Sequence, residues 1–314
     1  MALRIVFCGT PAFAVPSLRR LIAEPDFEVL GVVTQPDRPR GRGGEIHGSA
    51  VKRAADAAAI SVYQPEKIRS DESYDYFRRL APDAVVIIAY GQIISQRLID
   101  IPRLGWINLH ASLLPKYRGA APIHWAIIKG EKVTGLTTMR IDAGLDTGPT
   151  LLKYETGIAA DETAVDLTEQ LAEAGAPLVV ETLRRLAAGE IAPTPQDDSQ
   201  ATQAPILRKE DGRIDWWLNV FQIYNRIRGL QPWPGAFTTF RGKTCHIWGK
   251  PLKPVAAGGR PGVILPTKED GMLVICGGST VLRVEHLQLE SRKRVTDAEF
   301  MSGARIVPGE RFGE

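Results

Sequence analysis

The N-terminal half of the chain alternates short apolar runs with segments in which apolar residues recur at helical spacing. Four runs are continuously apolar over the length of a strand: LRIVFCG (3–9), EVLGVVTQ (28–35), DAVVIIAYG (83–91) and WINLH (106–110). Continuous apolarity is typical of parallel strands that are buried on both faces. The segments AVPSLRRLIAE (14–24) and SAVKRAADAAA (49–59) predict helices between them. The pattern therefore predicts an α/β domain with a Rossmann-like, doubly wound and mostly parallel sheet.

A hairpin and a long helix follow these four strands. The runs VTGLTTMRID (133–142) and TLLKYE (150–155) predict two more strands that pair as a hairpin at the edge of the sheet. Helical periodicity then extends over Ala164–Leu186. Because Gly and Pro disfavour the interior of a helix, Gly175 and Pro177 predict an interruption there.

The stretch GEIAPTPQDDSQATQAPILRK (189–209) has the composition of a linker. We therefore expect a first domain over residues 1–189, a linker over 190–208 and a second domain over 209–314. In the second domain, WWLNVFQIYNRIRGL (216–230) predicts an amphipathic helix that ends at QPWPG. The short alternating runs and turn residues after it predict a small antiparallel β-barrel of the OB type.

The composition is that of an ordinary globular protein. The 314 residues are 44% hydrophobic and 24% charged, and this length suits about two domains. The sequence has neither a secretory leader nor an apolar stretch of transmembrane length, so we expect a protein that is not exported and has no membrane partner. The three cysteines are far apart and form no CxxC pair. They predict reduced thiols in a cytoplasm, with no metal site.

The net charge of +3 conceals two regions of opposite character. Residues 154–201 carry ten Asp and Glu against two Arg, which indicates a solvated helix face. Residues 205–253 carry nine Lys and Arg against three acids. Aromatic residues are interleaved with these charges, a mixture that suits phosphates and stacked bases, although aromatic residues of a small domain are more often core.

The run WINLH ends in two polar side chains on one face of a predicted strand. Strand side chains alternate, so Asn108 and His110 share a face while Leu109 points away. Ligands of open parallel sheets bind outside the carboxyl ends of the strands. An amide donor and an imidazole at that position suit a carbonyl carbon that becomes tetrahedral under nucleophilic attack. A structural His beside a capping Asn is the alternative, and for an isolated pair it is favoured.

The segment RIDAGLDTGP (140–149) favours the catalytic interpretation of Asn108 and His110 over the structural one. It follows a predicted strand, and its Gly and Pro content predicts a loop that returns a carboxylate toward His110. If Asp146 bonds one imidazole nitrogen, it fixes the tautomer of the ring. A turn with Asx caps is the alternative interpretation; a calcium loop is excluded because Gly144 stands at its third position and the later Glu is missing.

Two other loops bear on ligands. FCGTPAF (7–13) follows the first strand but lacks the G-x-G-x-x-G pattern, which disfavours NAD. TQPDRPRGRGG (34–44) concentrates arginines in a Pro- and Gly-rich setting. From composition alone, a solvated loop is the favoured interpretation of this segment.

Several of these segments together resemble the folate-dependent formyltransferases. The resemblance rests on NLHASLLPKYRG (108–119) and DAGLDTG (142–148), and it extends over nearly the whole chain. FCGTPAFAVPSL (7–18), TQPDRPRGRG (34–43) and RGAAPIHWAI (118–127) narrow it to the branch that acts on methionyl initiator tRNA. The implied reaction transfers a formyl group from 10-formyltetrahydrofolate to the α-amine of the esterified methionine.

The resemblance also implies roles for individual residues. Asn108, His110 and Asp146 match the catalytic trio: Asn108 and His110 stabilise the oxyanion, while Asp146 orients His110 and helps to remove the ammonium proton. The expected folate contacts are Ser112, Leu113, Leu114, Pro115, Ile88, Ala89 and Tyr90. The expected tRNA contacts are Arg38, Arg40 and above all Arg42, in a loop where Gly44 and Glu45 replace the two lysines of many relatives.

We expect a monomer whose basic second domain binds tRNA, with folate as the donor and no metal. Two rival acceptors, a sugar amine and glycinamide ribonucleotide, require the same trio but neither the arginine loop nor the basic barrel. A nucleic-acid-binding protein with a vestigial first domain is the alternative from another class. The intact trio argues against it.

Overall fold

The computed structural model describes residues 2–40, 45–252, 258–267, 269–307 and 309–314, without the side chains of 39, 40, 45 and 46. The chain divides into two compact units. The first comprises Met1–Pro122, Val133–Gly157 and Leu167–Pro205; the second comprises Ile123–Lys132, Ile158–Asp166 and Ile206–Glu314.

The first unit is built on a seven-stranded sheet. Its strands and those of a small ribbon are β1 (Leu3–Gly9), β2 (Phe27–Val33), β3 (Arg38–Arg40), β4 (Glu45–His47), β5 (Val62–Tyr63), β6 (Ala84–Ile88), β7 (Trp106–His110), β8 (Val133–Arg140) and β9 (Thr150–Gly157). The order in the sheet is β5-β2-β1-β6-β7-β8-β9. The pairings from β5 to β7 are parallel, whereas β8 is antiparallel to both β7 and β9. The predicted parallel sheet and its edge hairpin are confirmed.

Helices separate these strands: α1 (Val15–Ala23), α2 (Ala50–Ala57), α3 (Asp71–Leu80), α4 (Gln96–Ile99), α5 (Pro122–Lys129) and α6 (Ala164–Ala187). Short 3-10 turns cover Ala12–Ala14 and Asp198–Gln200. The ribbon of β3 and β4 is antiparallel and separate from the main sheet. The predicted helices at 14–24 and 49–59 are confirmed by α1 and α2.

The predicted interruption of the long helix is wrong, because α6 is continuous through Pro177. A Cβ at Gly175 would lie 2.5 Å from Leu109 Cδ2, so the glycine permits close approach of the helix to β7. Buried residues such as Leu171 and Leu183 line the helix on both sides of the proline. Packing against the sheet therefore outweighs the helix-breaking cost of about 3 kcal/mol for Pro.

The second unit contains an all-antiparallel sheet of β10 (Phe237–Phe240), β11 (Lys243–Leu252), β12 (Ile264–Pro266), β13 (Met272–Cys276), β14 (Thr280–Leu289) and β15 (Val295–Thr296). Its order is β10-β11-β14-β13-β12, and β15 pairs with β14. Its helices are α7 (Val220–Gly229) and α8 (Asp297–Ala304), with a 3-10 turn over Lys209–Gly212. The predicted small antiparallel β domain is confirmed.

Helix α7 begins at Val220, four residues after the start of the predicted helix at Trp216, because Asn219 caps it by accepting from the N–H groups of Phe221 and Gln222. The aromatic residues before and after it divide into two groups. Trp216 and Phe240 lie in the core of the second unit, whereas Trp217 and Trp233 are 70% and 55% exposed. Part of the basic, aromatic region is therefore core, and part is available at the surface.

Two segments that precede residue 189 in the sequence belong to the second unit. The buried guanidinium of Arg228 donates to the main-chain oxygens of Ala159 (3.2 Å) and Glu162 (3.0 Å). Gly229 allows close approach of α7 to Ile128, since a Cβ there would lie 2.9 Å from its Cγ1. The second unit therefore needs residues 123–132 and 158–166 for its packing.

Candidate active site

The end of β7 presents Asn108 and His110 on one face of the central sheet. Asn108 pairs in register with Ile87 of β6 and Met139 of β8, and its side chain is partly exposed. Leu109 points to the opposite face, where it packs at Gly175 of α6. The alternation thus delivers an amide and an imidazole to the carboxyl end of the parallel strands, where open sheets bind ligands.

His110 is held by a main-chain carbonyl. Its ring is only 6% exposed, and Nε2 lies 2.9 Å from the oxygen of Tyr117. A carbonyl oxygen only accepts, so Nε2 carries the hydrogen and Nδ1 of the neutral ring keeps its lone pair. The tautomer is therefore set by Tyr117 rather than by Asp146, contrary to the interpretation from the sequence.

Asp146 faces the other nitrogen of the ring. Its Oδ2 lies 3.6 Å from His110 Nδ1, which is beyond hydrogen-bond distance but close enough for strong attraction once the ring is protonated. The same oxygen accepts a hydrogen bond of 2.8 Å from the N–H of Gly119. The carboxylate is therefore oriented by the backbone and aimed at the unprotonated nitrogen of His110.

The loop between β8 and β9 that carries Asp146 is tightly constrained. Asp146 has φ +53°, in the left-handed region that non-glycine residues seldom adopt. Asp142 accepts from the N–H of Gly144 (3.0 Å) and the hydroxyl of Thr147 (2.8 Å), an Asx turn that closes the loop. A Cβ at Gly148 would lie 1.8 Å from the oxygen of Arg140, so only glycine fits there.

The segment Ser112–Pro115 is held by hydrogen bonds to side chains of β8 and β9. The hydroxyl of Thr137 donates to the oxygen of Ser112 (2.7 Å) and accepts from the N–H of Leu114 (3.1 Å), while Lys153 Nζ donates to the oxygen of Leu114 (2.6 Å). The hydroxyl of Ser112 donates to the main-chain oxygen of Lys116 at 2.5 Å. Ser112 and Leu114 are buried by these contacts, which leaves Leu113 and Pro115 as the partly exposed members.

The segment Ile88–Tyr90 ends β6 next to β7. Ile88 is fully buried, Ala89 is exposed with φ +47°, and Tyr90 is buried. The main-chain oxygen of Tyr90 accepts from the hydroxyl of Thr10 (3.1 Å) and from Gln35 Nε2 (3.0 Å). Burial raises the pKa of Tyr90, and within the described part of the chain its hydroxyl has no hydrogen-bond partner. Ala89 is thus the accessible residue of this segment.

A surface cavity of about 380 Å³ adjoins this segment, and none of its lining residues is among those predicted from the sequence. Its lining residues are Lys67, Arg69, Ser70, Gly91, Gln92 and Ile93. Gln92 joins its two sides by accepting from the N–H of Ile68 at 2.8 Å. Lys67 and Arg69 are the sequence feature that could have indicated this cavity. Their positive charges suit an anionic group of a ligand.

The arginine loop is described only in part. Arg38 is exposed on β3, which pairs with β4 through Arg38 and His47. Arg42 and Gly44 lie outside the described residues, and the side chain of Arg40 is likewise not described.

The described residues contain neither a helix suited to cross a membrane nor a cluster of side chains suited to hold a metal ion. Of the helices in the described ranges, none combines the length and apolarity needed to cross a membrane. Within the same ranges, His, Cys, Asp and Glu side chains nowhere gather in a group of three that would hold a metal ion.

Comparison with known proteins places the chain in a family. A family model described as formyl transferase matches residues 3–183, and a model of the formyl transferase C-terminal domain matches residues 206–305. The methionyl-tRNA formyltransferase of Solibacter usitatus is 53% identical over 312 residues, which are 99% of each chain. The chain belongs to the methionyl-tRNA formyltransferase family. The resemblance found in the sequence motifs is therefore confirmed.

A second member of the methionyl-tRNA formyltransferase family, from Geobacter sulfurreducens, is 50% identical and aligns over 99% of this chain and 97% of its own. Among solved structures, HypX from Aquifex aeolicus in complex with tetrahydrofolic acid matches with a TM-score of 0.62 at 18% identity. The match covers 96% of this chain and 47% of HypX. At that identity the likeness supports the fold alone.

Proposed function

We propose that this protein transfers the formyl group of 10-formyltetrahydrofolate to the α-amine of methionyl initiator tRNA, which yields N-formylmethionyl-tRNA for translation initiation. The observation that carries the proposal is full-length identity of 53% to a methionyl-tRNA formyltransferase. The pairing of His110 with Asp146 at the end of β7 supplies chemistry that fits this reaction.

In this reaction the amine nitrogen forms a bond to the formyl carbon and the bond from that carbon to the folate nitrogen breaks. The amine loses one proton, and the departing folate nitrogen gains one. An α-amine has a reference pKa of about 8, so part of it is already unprotonated and needs positioning more than activation. Asn108 donates to the formyl oxygen as negative charge develops on it. The resemblance implies that His110 also stabilises the oxyanion, but the hydrogen on its Nε2 is donated to the Tyr117 oxygen, so we assign His110 to proton transfer instead. His110 takes the proton at Nδ1, and the carboxylate of Asp146 stabilises the resulting imidazolium.

The residues at the ends of β6 and β7 fit a folate. The exposed Ala89 and the partly exposed Leu113 and Pro115 provide apolar and main-chain surface for the folate. The buried residues of the two segments, which lie behind this surface, are Ser112, Leu114, Ile88 and Tyr90. Lys67 and Arg69 line the adjoining cavity, where they match the negative charge of the folate carboxylates. Folate supplies the activated formyl group, and these residues hold it at the crevice.

We assign the tRNA to two basic regions. The acceptor arm of the tRNA is bound by Arg38, Arg40 and Arg42, and its phosphates are bound by the domain over residues 209–314. Residues 190–208 link that domain to the catalytic domain over residues 1–189. The exposed Trp217 and Trp233 offer surfaces for stacking. We place the protein in the cytoplasm. We also propose that it is a monomer, and light scattering of the purified chain tests this oligomeric state.

The decisive experiment is a formylation assay with 10-formyltetrahydrofolate and three acceptors: methionyl initiator tRNA, a nucleotide-linked sugar amine and glycinamide ribonucleotide. Product from the tRNA alone supports the proposal. Turnover of either small amine with no tRNA product refutes it, and binding of tRNA without formylation would favour a nucleic-acid-binding protein.

Replacement of Arg42 by Ala is expected to impair the use of tRNA while the affinity for folate stays unchanged. The affinity of this variant for tRNA is expected to depend less steeply on salt concentration than that of the wild type, because fewer phosphate contacts are made.

A further inference from the structure

The segment that follows α6 runs along the first unit and contacts the loop that carries Asp146. Thr194 exchanges two main-chain hydrogen bonds of 2.8 Å with Thr150, the first residue of β9. Further along, the hydroxyl of Thr202 accepts from the N–H of Tyr117 at 2.8 Å. Gln196 lies between these two attachments and is therefore held in place at both sides.

The side-chain amide of Gln196 binds the main chain on each side of the Asp146–Gly148 turn. Nε2 donates to the oxygen of Asp146 at 2.9 Å and to the oxygen of Gly148 at 2.7 Å. Both donors of the amide are thus used on the loop whose carboxylate faces His110. The loop includes the unfavourable φ of Asp146, so it needs such support from its surroundings.

The other end of the Gln196 amide is fixed by a buried cation. Oε1 accepts from Arg118 Nε at 3.1 Å and from a terminal nitrogen of the same guanidinium at 2.9 Å. Arg118 is 5% exposed, and Asp198 balances its charge at 2.7 Å. An amide oxygen facing a guanidinium admits only one orientation of the amide, so the two donors of Gln196 point at the loop.

Arg118 also belongs to the turn that fixes the two catalytic side chains. Its neighbour Tyr117 accepts from His110 Nε2, and its other neighbour Gly119 donates to the carboxylate of Asp146. Three successive residues thus contact His110, the Gln196 amide and Asp146 in turn. Gln196 hydrogen-bonds both to Arg118 of this turn and to the main chain of the Asp146 loop, so it connects the two.

We propose that Gln196 is a positioning residue that sets the Asp146 carboxylate against His110 Nδ1. The proposal rests on the function proposed above, since it takes the catalytic role of Asp146 from it. Displacement of a catalytic group by about 1 Å can cost about 10²-fold in rate. Loss of the two donors of Gln196 releases the loop that determines where this carboxylate lies.

The test replaces Gln196 by Met, which has a similar volume but neither donor nor acceptor, and uses Gln203→Met as the matched control. Gln203 lies in the same segment and is exposed. We expect Gln196→Met to lower kcat by about 10–10²-fold, with the KM for both substrates unchanged, and the control to retain full activity. A similar loss in both variants, or an unaltered kcat in Gln196→Met, overturns the proposal.

A double-mutant cycle with Asp146→Asn separates positioning from a general effect on the fold. If Gln196 acts through the carboxylate, Gln196→Met costs little more once that charge is gone. Full additivity overturns the proposal. Wild-type activity of Asp146→Asn alone refutes the catalytic assignment itself, whereas an impaired Asp146→Asn with an active Gln196→Met refutes only the positioning role. Should Gln196→Met fail to fold, Gln196→Glu keeps the acceptor for Arg118 and provides the same comparison.

Discussion

Replacement of Asp146 by Asn removes one charge from the site while it retains the shape of the side chain. The carboxylate lies 3.6 Å from His110 Nδ1, and both side chains are mostly buried. At an effective dielectric constant of about 20, two unit charges at this distance attract by about 4–5 kcal/mol. This attraction exists only while the imidazole is protonated, so its loss raises the barrier to reaction rather than weakening substrate binding. We expect a fall of about 10³-fold in kcat with little change in either KM.

The matched variant Asp146→Ala distinguishes this electrostatic effect from a structural one. An Asn oxygen still accepts from the N–H of Gly119, which lies 2.8 Å from the carboxylate in the native chain. Alanine leaves that N–H without an acceptor, at a cost of about 1–3 kcal/mol. Both variants are thus expected to lose activity alike, whereas only Asp146→Ala lowers the free energy of unfolding.

Single-turnover formylation of methionyl initiator tRNA measures the rate, and chemical denaturation followed by circular dichroism measures the stability. Activity of Asp146→Asn within about tenfold of the wild-type rate would refute the reasoning, since the carboxylate charge would then contribute little to the transition state. Equal destabilisation of both variants would show that the interaction with Gly119 is not the structural role of this residue.

Asn108, Arg228 and the three cysteines each allow a further test. Asn108→Ala is expected to lower kcat by about 10²–10³-fold through loss of an oxyanion donor, with tRNA binding unchanged; near wild-type turnover would contradict the assignment. Arg228→Met removes a buried guanidinium from the main-chain oxygens that it binds and is expected to lower the free energy of unfolding by about 2–3 kcal/mol; an unchanged denaturation midpoint would contradict this. Burial raises the pKa of the Cys8 thiol and raises the pKa values of Cys245 and Cys276 to about 12. At about pH 8 the reactive thiolates are therefore scarce, and a thiol reagent is expected to label no cysteine in the native protein and all three after unfolding.

The local pattern of apolar residues determined the elements and their classes. Continuous apolar runs predict parallel strands because burial on both faces leaves no room for alternation, and the four runs that have this pattern form β1, β2, β6 and β7, which pair in parallel. The same local information places Asn108 and His110 on one face of β7, since alternation along a strand needs no knowledge of its neighbours. The motifs around these residues and Asp146 were sufficient to indicate the family.

The tertiary structure decided how these residues are oriented, because the groups that orient them come from distant parts of the chain. Asp146 is fixed by a residue 27 positions away and its loop by Gln196, 50 positions away, and neither partner has a periodicity or spacing that marks it. The hydrogen of His110 lies on Nε2 because packing places the Tyr117 carbonyl there. Helix α6 likewise continues through Pro177 because burial against the sheet outweighs a local preference. Sequence periodicity reports the preference of each segment for its own conformation, whereas these choices depend on contacts that exist only after the segments have packed together.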